Sequence, residues 1–333
     1  MNETSEISAT RDAVVVLTGA SSGIGHAAAL ALAGKGARLV LAARGRTALE
    51  AVQAECTGLG AEVLVVPTDV TDARAVDDLA QAAIERFGHI DVWINNVGVG
   101  LVGLFDATPM ELHRRVIESN LLGHMHGAHA ALAHFRLRER GTLINMISVG
   151  GIAPAPYAAA YTASKFALRG FSEAIRAEMS GLPKVHVCEV YPTFVDTPGV
   201  GHGANHTGHR VVPPPPLTDP REVAAAVVAL IEKPRAAVYL GGPSLPVRVA
   251  HAMAPQLVGR VTMRLMEKAL YRADVTDITD GNLFEPSVGT RIDGGYRRST
   301  SSTWAGLALG AGALLMGWWA MRATRGSARS WQA

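Results

Sequence analysis

Short runs of apolar, mostly β-branched residues alternate along the chain with longer stretches whose apolar residues recur at helical spacing. Continuous apolar runs of this length are typical of strands buried on both faces of a parallel sheet. Alternation of such strands with helices predicts an α/β fold, with a doubly wound parallel sheet flanked by helices. The runs predict seven strands, at residues 13–17, 38–43, 63–66, 91–94, 142–147, 185–191 and 236–240.

The first predicted strand runs directly into the glycine-rich turn Thr18-Gly19-Ala20-Ser21-Ser22-Gly23-Ile24-Gly25, and an alanine-rich helix follows from His26 to Ala33. Glycines allow a tight turn and a close approach of backbone to a ligand, and the free N–H groups at a helix N-terminus attract anions. A strand before the turn and a helix after it are the context that a dinucleotide-binding turn requires. We therefore interpret the turn as a pyrophosphate cradle, with a plain strand–helix connection as the alternative.

The end of the second strand bears on the cofactor. Dinucleotide sites that prefer NAD place an acid there to hold the ribose 2′-hydroxyl, whereas an arginine accommodates a 2′-phosphate. In this chain Ala43 takes the place of the acid and Arg44 follows, with Arg46 two residues later. The expected cofactor is therefore NADP(H), and NAD(H) stays open because both arginines could be ordinary solvated loop charges.

Tyr161 and Lys165 stand one helical turn apart in a segment that follows Ser148. Residues at this spacing project from one face of a helix. There an ammonium group lowers the cost of forming a phenolate, so the tyrosine can exchange a proton near neutral pH. A serine hydroxyl beside the phenol would hold a substrate oxygen. The spacing alone is a weak signal, because many helices carry an aromatic residue and a lysine this far apart.

Taken together, the ordered motifs resemble the short-chain dehydrogenase/reductase family over about residues 12–245. The resemblance implies the Rossmann-type fold and a hydride transfer between a nicotinamide and a carbonyl or alcohol carbon. The motifs are Thr18-Gly19-x-x-x-Gly23-x-Gly25, Asp69, Asn95-Asn96-x-Gly98, Asn120, Ser148, Tyr161-x-x-x-Lys165 and Pro192-x-x-Val195-x-Thr197.

The resemblance also implies a role for each matching catalytic residue. Tyr161 is the general acid that protonates a carbonyl oxygen, or the base in the reverse direction. Lys165 lowers the pKa of Tyr161 and binds the nicotinamide ribose. Ser148 orients the substrate oxygen, and Asn120 holds a water that relays protons. Positioned proton transfer of this kind contributes roughly two to four orders of magnitude in rate.

The cofactor contacts are likewise carried over from the family. Asp69 matches the residue that contacts adenine, Asn95 and Gly98 match the stretch that lines the adenine ribose, and Thr197 matches the residue that holds the carboxamide. The chain departs from the family at Val97, where alanine is usual, and at Thr193, where glycine is usual. The full expected set is Thr18, Gly19, Ser21, Ser22, Gly23, Ile24, Gly25, Arg44, Asp69, Val70, Asn95, Asn96, Gly98, Tyr161, Lys165, Pro192, Val195 and Thr197.

Composition narrows the class of protein further. The 333-residue chain is 48% hydrophobic and carries a formal net charge of +2, which gives no argument for a nucleic-acid partner. Cys56 and Cys188 lie far apart in apolar surroundings, so we expect them to fill core space in a reducing compartment. The N-terminal residues 1–11 are polar and are expected to be flexible, without a secretory signal.

Histidines crowd two parts of the chain, but neither part has the ligand pattern of a metal site, so no metal is expected. The histidine-rich helical region is expected to be a surface or subunit-contact helix, and the family resemblance implies a homodimer or homotetramer. The second group lies in a glycine-rich stretch that ends in four prolines, where a mobile lid is the favoured interpretation. The two groups are His113, His124, His126, His129 and His134, and His202, His206 and His209.

Residues 246–303 extend beyond the family pattern as a helical extension and a linker. An amphipathic helix is expected over 251–271, where it would cover the substrate cleft, pack on a partner or lie on a bilayer. Residues 304–321 are uncharged and apolar with tryptophans near both ends, and a basic tail, 322–333, follows. Such a run predicts a transmembrane or membrane-anchoring helix, with a buried or subunit-contact helix as the alternative.

The sequence therefore predicts a membrane-associated, NADP(H)-dependent reductase or dehydrogenase with its catalytic domain in the cytoplasm. Its apolar C-terminal parts suggest a lipophilic carbonyl or alcohol substrate. A catalytically silent NADP-binding regulator or membrane scaffold is one alternative. Another keeps the fold but performs epimerisation or dehydration.

Overall fold

The computed structural model describes residues 9–241 and 244–297, with only the backbone of 244–247. The strands are β1 Val14–Thr18, β2 Arg38–Ala43, β3 Val63–Pro67, β4 Val92–Asn95, β5 Leu101–Val102, β6 Gly141–Met146, β7 Val185–Pro192, β8 Ala204–Asn205 and β9 Ala237–Leu240. The helices are α1 Gly23–Ala33, α2 Arg46–Gly58, α3 Ala73–Phe87, α4 Met110–Ile117, α5 Gly123–Arg138, α6 Ala159–Glu178, α7 Gly199–His202, α8 Pro220–Glu232, α9 Ser244–Met253 and α10 Pro255–Tyr271.

Seven strands form one parallel sheet in the order β3-β2-β1-β4-β6-β7-β9, which confirms the predicted doubly wound architecture. Alternate residues of β1 bury opposite faces. Val15 and Leu17 pack with α1, α2 and α8, whereas Val14 and Val16 pack with α3, α5 and α6. The strand order reverses between β1 and β4, and ligands of such sheets bind in the crevice at that point, outside the carboxyl ends of the strands.

In the histidine-rich helical region, the chain forms α4, a π-helical turn at Glu118–Leu122 and then α5. Local π-helical turns are frequent at functional sites, and this one carries Asn120. The small parallel pair β5–β8, which the apolar pattern does not reveal, joins the loop after β4 to the predicted lid. Cys56 and Cys188 are both buried as free thiols, as expected.

The C-terminal extension differs from the sequence prediction in two ways. The expected single helix over 251–271 is divided at Ala254, which has extended φ, because the ring of Pro255 disfavours helical backbone in the residue before it. Residues 274–297, expected to be a linker, pack against the cleft through hydrogen bonds to Arg44, His26, Gly23 and Asp196. No helix in the described ranges is long and apolar enough to span a membrane, and the apolar run 304–321 lies outside those ranges.

Candidate active site

Ser148 follows β6 and lies beside the phenol of Tyr161, which projects from the first turn of α6. The serine side chain hydrogen bonds to Tyr161, and its Oγ also accepts the N–H of Gly150 at 3.1 Å. The backbone φ of Ser148 is 129°, a conformation that non-glycine residues rarely adopt. Strain of this kind costs on the order of 1–3 kcal/mol and persists where the surrounding structure holds it in place. The fold therefore fixes the hydroxyl against the phenol.

Lys165 lies one turn along α6 from Tyr161, with its Nζ donating to the carbonyl oxygen of Met146 at 2.9 Å. Burial lowers the pKa of Lys165 to about 7, so the side chain is only partly cationic at neutral pH. Burial also raises the pKa of Tyr161, although the hydrogen bond from Ser148 opposes that rise. The pKa of Tyr161 is therefore raised and not lowered as expected. The Lys165 Nζ lies 5.9 Å from the ring centroid and is itself desolvated, so it stabilises the phenolate little.

Asn120 is fully buried within the π-helical turn, and its side chain is held from two directions. Its Oδ1 accepts the N–H of Val99 at 2.8 Å, and its Nδ2 donates to the Val99 carbonyl at 2.9 Å and to Ser164 Oγ at 3.4 Å. These contacts tie α4 and α5 to the loop after β4 and to α6. The expected role in holding a water stays a prediction, because the amide itself binds this loop.

The glycine turn has the shape that a pyrophosphate requires. A Cβ on Gly25 would lie 2.0 Å from the Gly19 carbonyl oxygen, and Gly19 has φ of 66°. Asn96 braces the turn by donating to the carbonyls of Thr18 and Gly19 at 3.2 and 3.1 Å. Ser22, the N-cap of α1, makes no side-chain capping hydrogen bond, so its hydroxyl does not compete for the first-turn N–H groups. Ser21 precedes this cap and Ile24 lies two residues after it. The turn as a whole fits the pyrophosphate of a dinucleotide.

Asn95, expected along the adenine ribose, instead lies inside the protein with 1% exposure. Its Oδ1 accepts Trp93 Nε1 at 2.8 Å, and its Nδ2 donates to Asn145 Oδ1 at 3.0 Å and to the His124 carbonyl at 2.9 Å. The side chain therefore joins β4 to β6 and α5. Successive residues of extended backbone turn to opposite faces, and Asn96, which directly follows β4, contacts the glycine turn instead.

Asp69 and Val70 lie after β3, at the expected adenine end of the cleft. Asp69 accepts hydrogen bonds from the backbone and hydroxyl of Thr71 and from Arg115 at 2.8 Å. These bonds hold the pKa of Asp69 below its usual value, although burial raises it. Val70 is buried against Gly123. The sequence does not predict Arg115 as a site residue, since a single arginine within an amphipathic helix has no local signature.

The residues expected near the nicotinamide follow β7. Pro192 ends the strand, Val195 forms a bridge with Thr218, and the N–H of Thr197 donates to the Val195 carbonyl at 2.8 Å. The Thr197 side chain lies against the glycine turn, 3.2 Å from the position of a Cβ on Gly23. No atom lies within 4 Å of the position that a Cβ on Gly98 would take, so the surroundings of this glycine are open.

Most of the histidines in the helical group serve as hydrogen-bonding partners of backbone atoms. His113, His124 and His126 contact the carbonyls of Phe105, Val97 and Val70, and His134 accepts the N–H of Ile90. Two of them, His113 and His124, are buried, so the helices that carry them are not simply a surface element. Burial and the nearby Lys165 together lower the pKa of His124 to about 3, although the hydrogen bond to the Val97 carbonyl opposes the shift, and the imidazole stays neutral.

In the predicted lid, His206 Nε2 lies 2.9 Å from an oxygen of Asp280, and β8 and His209 pair with the extension at Thr279 and Val275. The lid is therefore attached to the C-terminal extension. In the part of the chain that the structure describes, no three His, Cys, Asp or Glu side chains are grouped to hold a metal ion.

A family model described as "short chain dehydrogenase" matches residues 13–206, which include the glycine turn, Ser148, Tyr161 and Lys165. The chain belongs to the short-chain dehydrogenase family. The match also includes Asn120 and the Pro192–Thr197 segment, and it ends before the extension.

The proteins that resemble this chain include oxidoreductases of several kinds. The chain is 32% identical to the uncharacterized oxidoreductase YxnA of Bacillus subtilis, over 88% of this chain and 82% of YxnA, a match that continues past residue 206 into the extension. It is 33% identical to a fatty acyl-CoA reductase of Acinetobacter baylyi, over 73% of this chain and 81% of that protein. An actinorhodin polyketide ketoreductase solved with NADPH aligns with a TM-score of 0.65 and 29% identity, covering 70% and 97% of the two chains.

Proposed function

We propose that the protein is an NADP(H)-dependent oxidoreductase that interconverts a carbonyl group and a secondary alcohol. The observation that carries the proposal is the contact between Ser148 and Tyr161 beside Lys165. This contact lies after the carboxyl end of β6, at the same edge of the parallel sheet as the glycine turn that follows β1. Membership of the family supports the oxidoreductase class. The bound cofactor would supply or accept the hydride at the carbonyl carbon.

The chain's own residues would manage the proton in this reaction. Ser148 would donate a hydrogen bond to the substrate oxygen, and Tyr161 would give its phenolic proton to that oxygen as the carbon gains the hydride. Hydride and proton together convert the carbonyl to the alcohol, and the reverse steps oxidise the alcohol. Because the phenol of Tyr161 is protonated at neutral pH, the site is ready for the reductive direction.

Substitution of Tyr161 by Phe tests the proton transfer directly. We expect the rate of NADPH oxidation with an active carbonyl substrate to fall by about two to four orders of magnitude. Tyr271→Phe is the matched control, since this tyrosine is 89% exposed at the end of α10, and it should keep wild-type activity. NADPH binding without any turnover across a carbonyl and alcohol panel would instead support the silent regulator.

The NADP(H) preference rests on Arg44, whose guanidinium lies at the carboxyl end of β2, the position that faces the 2′-substituent of the adenine ribose. We expect Arg44→Ala to lower kcat/KM with NADPH by about tenfold or more and to change the value with NADH much less, since one phosphate–guanidinium contact is lost. Arg46→Ala is the control, because that exposed side chain pairs with Glu50. Equal use of both cofactors by the wild type would contradict the preference.

A lipophilic substrate and membrane attachment complete the proposal. Leu257, Val261 and Leu265 form an exposed apolar row along α10. The adjacent row carries Arg260, Arg264 and Lys268, an arrangement that suits an anionic bilayer surface. The sequence run 304–321 supports the same attachment, and the likeness to a fatty acyl-CoA reductase supports a long-chain substrate.

Membrane attachment can be measured by fractionation of cells that express the full chain. We expect the protein in the membrane fraction and Leu314→Arg largely in the soluble fraction, because a charge at the centre of an apolar segment costs roughly 2.5–3.5 kcal/mol. Ser302→Arg, just before the run, should behave as wild type. For the substrate, kcat/KM should rise with the chain length of an aldehyde series, and a flat series would contradict a lipophilic substrate.

A further inference from the structure

Residues Asn282–Arg297, here named the strap, cross the cleft that the family motifs assign to the dinucleotide. The strap lies beyond the family model, which ends at residue 206. Its first residues contact Arg44 at the adenine end, its middle contacts the N-terminus of α1, and its last residues contact Asp196 near the nicotinamide end. It therefore follows the length of the expected cofactor path.

At the adenine end, strap carbonyl oxygens surround the Arg44 guanidinium. Nη1 donates to the carbonyls of Leu283 and Phe284 at 3.2 and 2.9 Å, and Nη2 donates to those of Asn282 and Glu285 at 2.5 and 2.9 Å. An arginine has four terminal N–H donors. All four have a partner in the strap, so a 2′-phosphate would need the same donors.

At the glycine turn, the strap accepts a hydrogen bond from a backbone N–H that the cofactor is expected to use. The N–H of Gly23 donates to the carbonyl oxygen of Arg291 at 3.0 Å, and the neighbouring Thr290 carbonyl lies 2.5 Å from His26 Nδ1. An N–H in the first turn of a helix is the kind of group that binds a phosphate oxygen. The Arg291 carbonyl oxygen therefore lies where a phosphate oxygen of the cofactor is expected to bind.

Other contacts hold the strap in this position. Leu283 is fully buried in a cluster that includes Val99, Leu101 and Leu112, and Tyr161 packs against the same cluster. At the far end, Asp293 accepts hydrogen bonds from Arg221 at 2.9 Å through each of its oxygens and from Arg297 at 2.7 Å. A segment held by a buried leucine and a charged cluster has a defined bound position.

We propose that the strap competes with the dinucleotide for Arg44 and the glycine turn, and that cofactor binding releases it. Strap carbonyls stand in for phosphate oxygens at both places. The affinity for NADPH is then lowered by the fraction of molecules in which the strap is bound. The lid is paired with the extension at Thr279, just before the strap, so the strap begins next to the lid. This inference rests on the proposed NADP(H) dependence.

Asp293→Asn and Leu283→Ala each remove one of the strap's fixing contacts without changing Arg44 or the glycine turn. We expect the Kd for NADPH, measured from nucleotide fluorescence on the full chain, to fall by about fivefold or more in each, a typical size for coupling between two binding events. Asp277→Asn is the control, as this exposed carboxylate lies just outside the strap. An unchanged or higher Kd in both variants would overturn the competition, and the higher value would make the strap a lid over bound cofactor.

Trypsin cleavage after Arg291 gives a second readout on the wild-type protein. The carbonyl of that peptide bond is held by the Gly23 N–H, so cleavage requires the strap to leave the turn. We expect saturating NADPH to accelerate cleavage there and to leave cleavage after the exposed Arg272 unchanged. Slower cleavage with NADPH would contradict release.

The two proposals fail in different ways. Binding of NADPH without turnover would end the proposed catalysis but not the competition. Absence of NADPH binding in the wild type and in the variants would end both.

Discussion

The residues at the centre of the cleft are buried polar groups whose protonation is set by desolvation. Burial holds the Tyr161 phenol in its protonated form against the opposing effect of the Ser148 hydrogen bond, and Lys165 is bound to a main-chain carbonyl. A buried ammonium costs free energy unless it is well compensated. The pKa of Lys165, lowered to about 7 by burial, records that cost.

Lys165 should therefore make stability depend on pH in the neutral to alkaline range. Its folded pKa is about 7 and its ordinary value is 10.5, so the unfolded chain binds more protons between these values and stability rises with pH there. We expect the free energy of unfolding of the cofactor-free wild type to gain up to about 1.4 kcal/mol per pH unit in this window. Urea unfolding at pH 7, 8 and 9 measures it.

In Lys165→Met this gain should disappear. Lys184→Met is the matched control, since Lys184 is exposed and should leave the slope unchanged. Equal slopes for wild type and Lys165→Met would show that the ammonium is already compensated in the folded protein.

At the scale of elements, the close approach of α5 to the sheet depends on one glycine. A Cβ on Gly127 would lie 2.2 Å from Asn95 Oδ1 and 2.6 Å from Trp93 Nε1, so the helix rests on the hydrogen-bonded pair from β4. The polar side chains there already satisfy one another. There is consequently no flexible group at this contact that could move aside for a methyl group.

Gly127→Ala should lower the free energy of unfolding by about 1–3 kcal/mol, the usual cost of overpacking. Gly170→Ala in α6 is the control, because nothing lies within 4 Å of its Cβ position. That variant should gain about 0.5–1 kcal/mol, since alanine is favoured over glycine in a helix. Thermal and urea unfolding of the two variants give the comparison, and equal effects would show that α5 moves freely on the sheet.

At the scale of the whole molecule, Asp91 joins β1, β4 and α5 at the amino-terminal edge of the sheet, opposite the cleft. It accepts the N–H of Val14 at 3.0 Å and a hydrogen bond from Arg138 at 3.1 Å. Burial raises the pKa of Asp91, but the Val14 N–H, Arg138 and His89 together hold it below its usual value. The lowered pKa means that the charged form stabilises the fold.

Asp91→Asn should reduce the free energy of unfolding at pH 7 by about 1–3 kcal/mol, because a charged hydrogen-bonding partner is lost. The stabilisation by Asp91 is present above the unfolded pKa, near 3.8, and is lost as the pH falls through the lower folded pKa. The difference between wild type and variant should thus narrow from pH 5 towards pH 3. The exposed Asp77→Asn serves as control, and a constant difference over this range would contradict the linkage.

The C-terminal strap also acts at the scale of the whole molecule, because it contacts parts of the chain that are far apart in sequence. Its carbonyl oxygens accept hydrogen bonds from Arg44 and Gly23, two residues that the sequence assigns to the cofactor alone. Its polar, irregular residues carry no periodic pattern, so a linker was the natural prediction. Only the packed structure shows where its carbonyl oxygens lie.

The sequence by itself determined the parallel sheet, the glycine turn and the order of the catalytic motifs. These depend on local patterns: apolar runs of strand length, glycines where a Cβ does not fit, and residues one helical turn apart. Tertiary structure alone decided that Asn95 turns inward, that Arg115 meets Asp69, and that Lys165 is desolvated. Burial and long-range hydrogen bonding determine such roles, and both arise only when distant segments pack together.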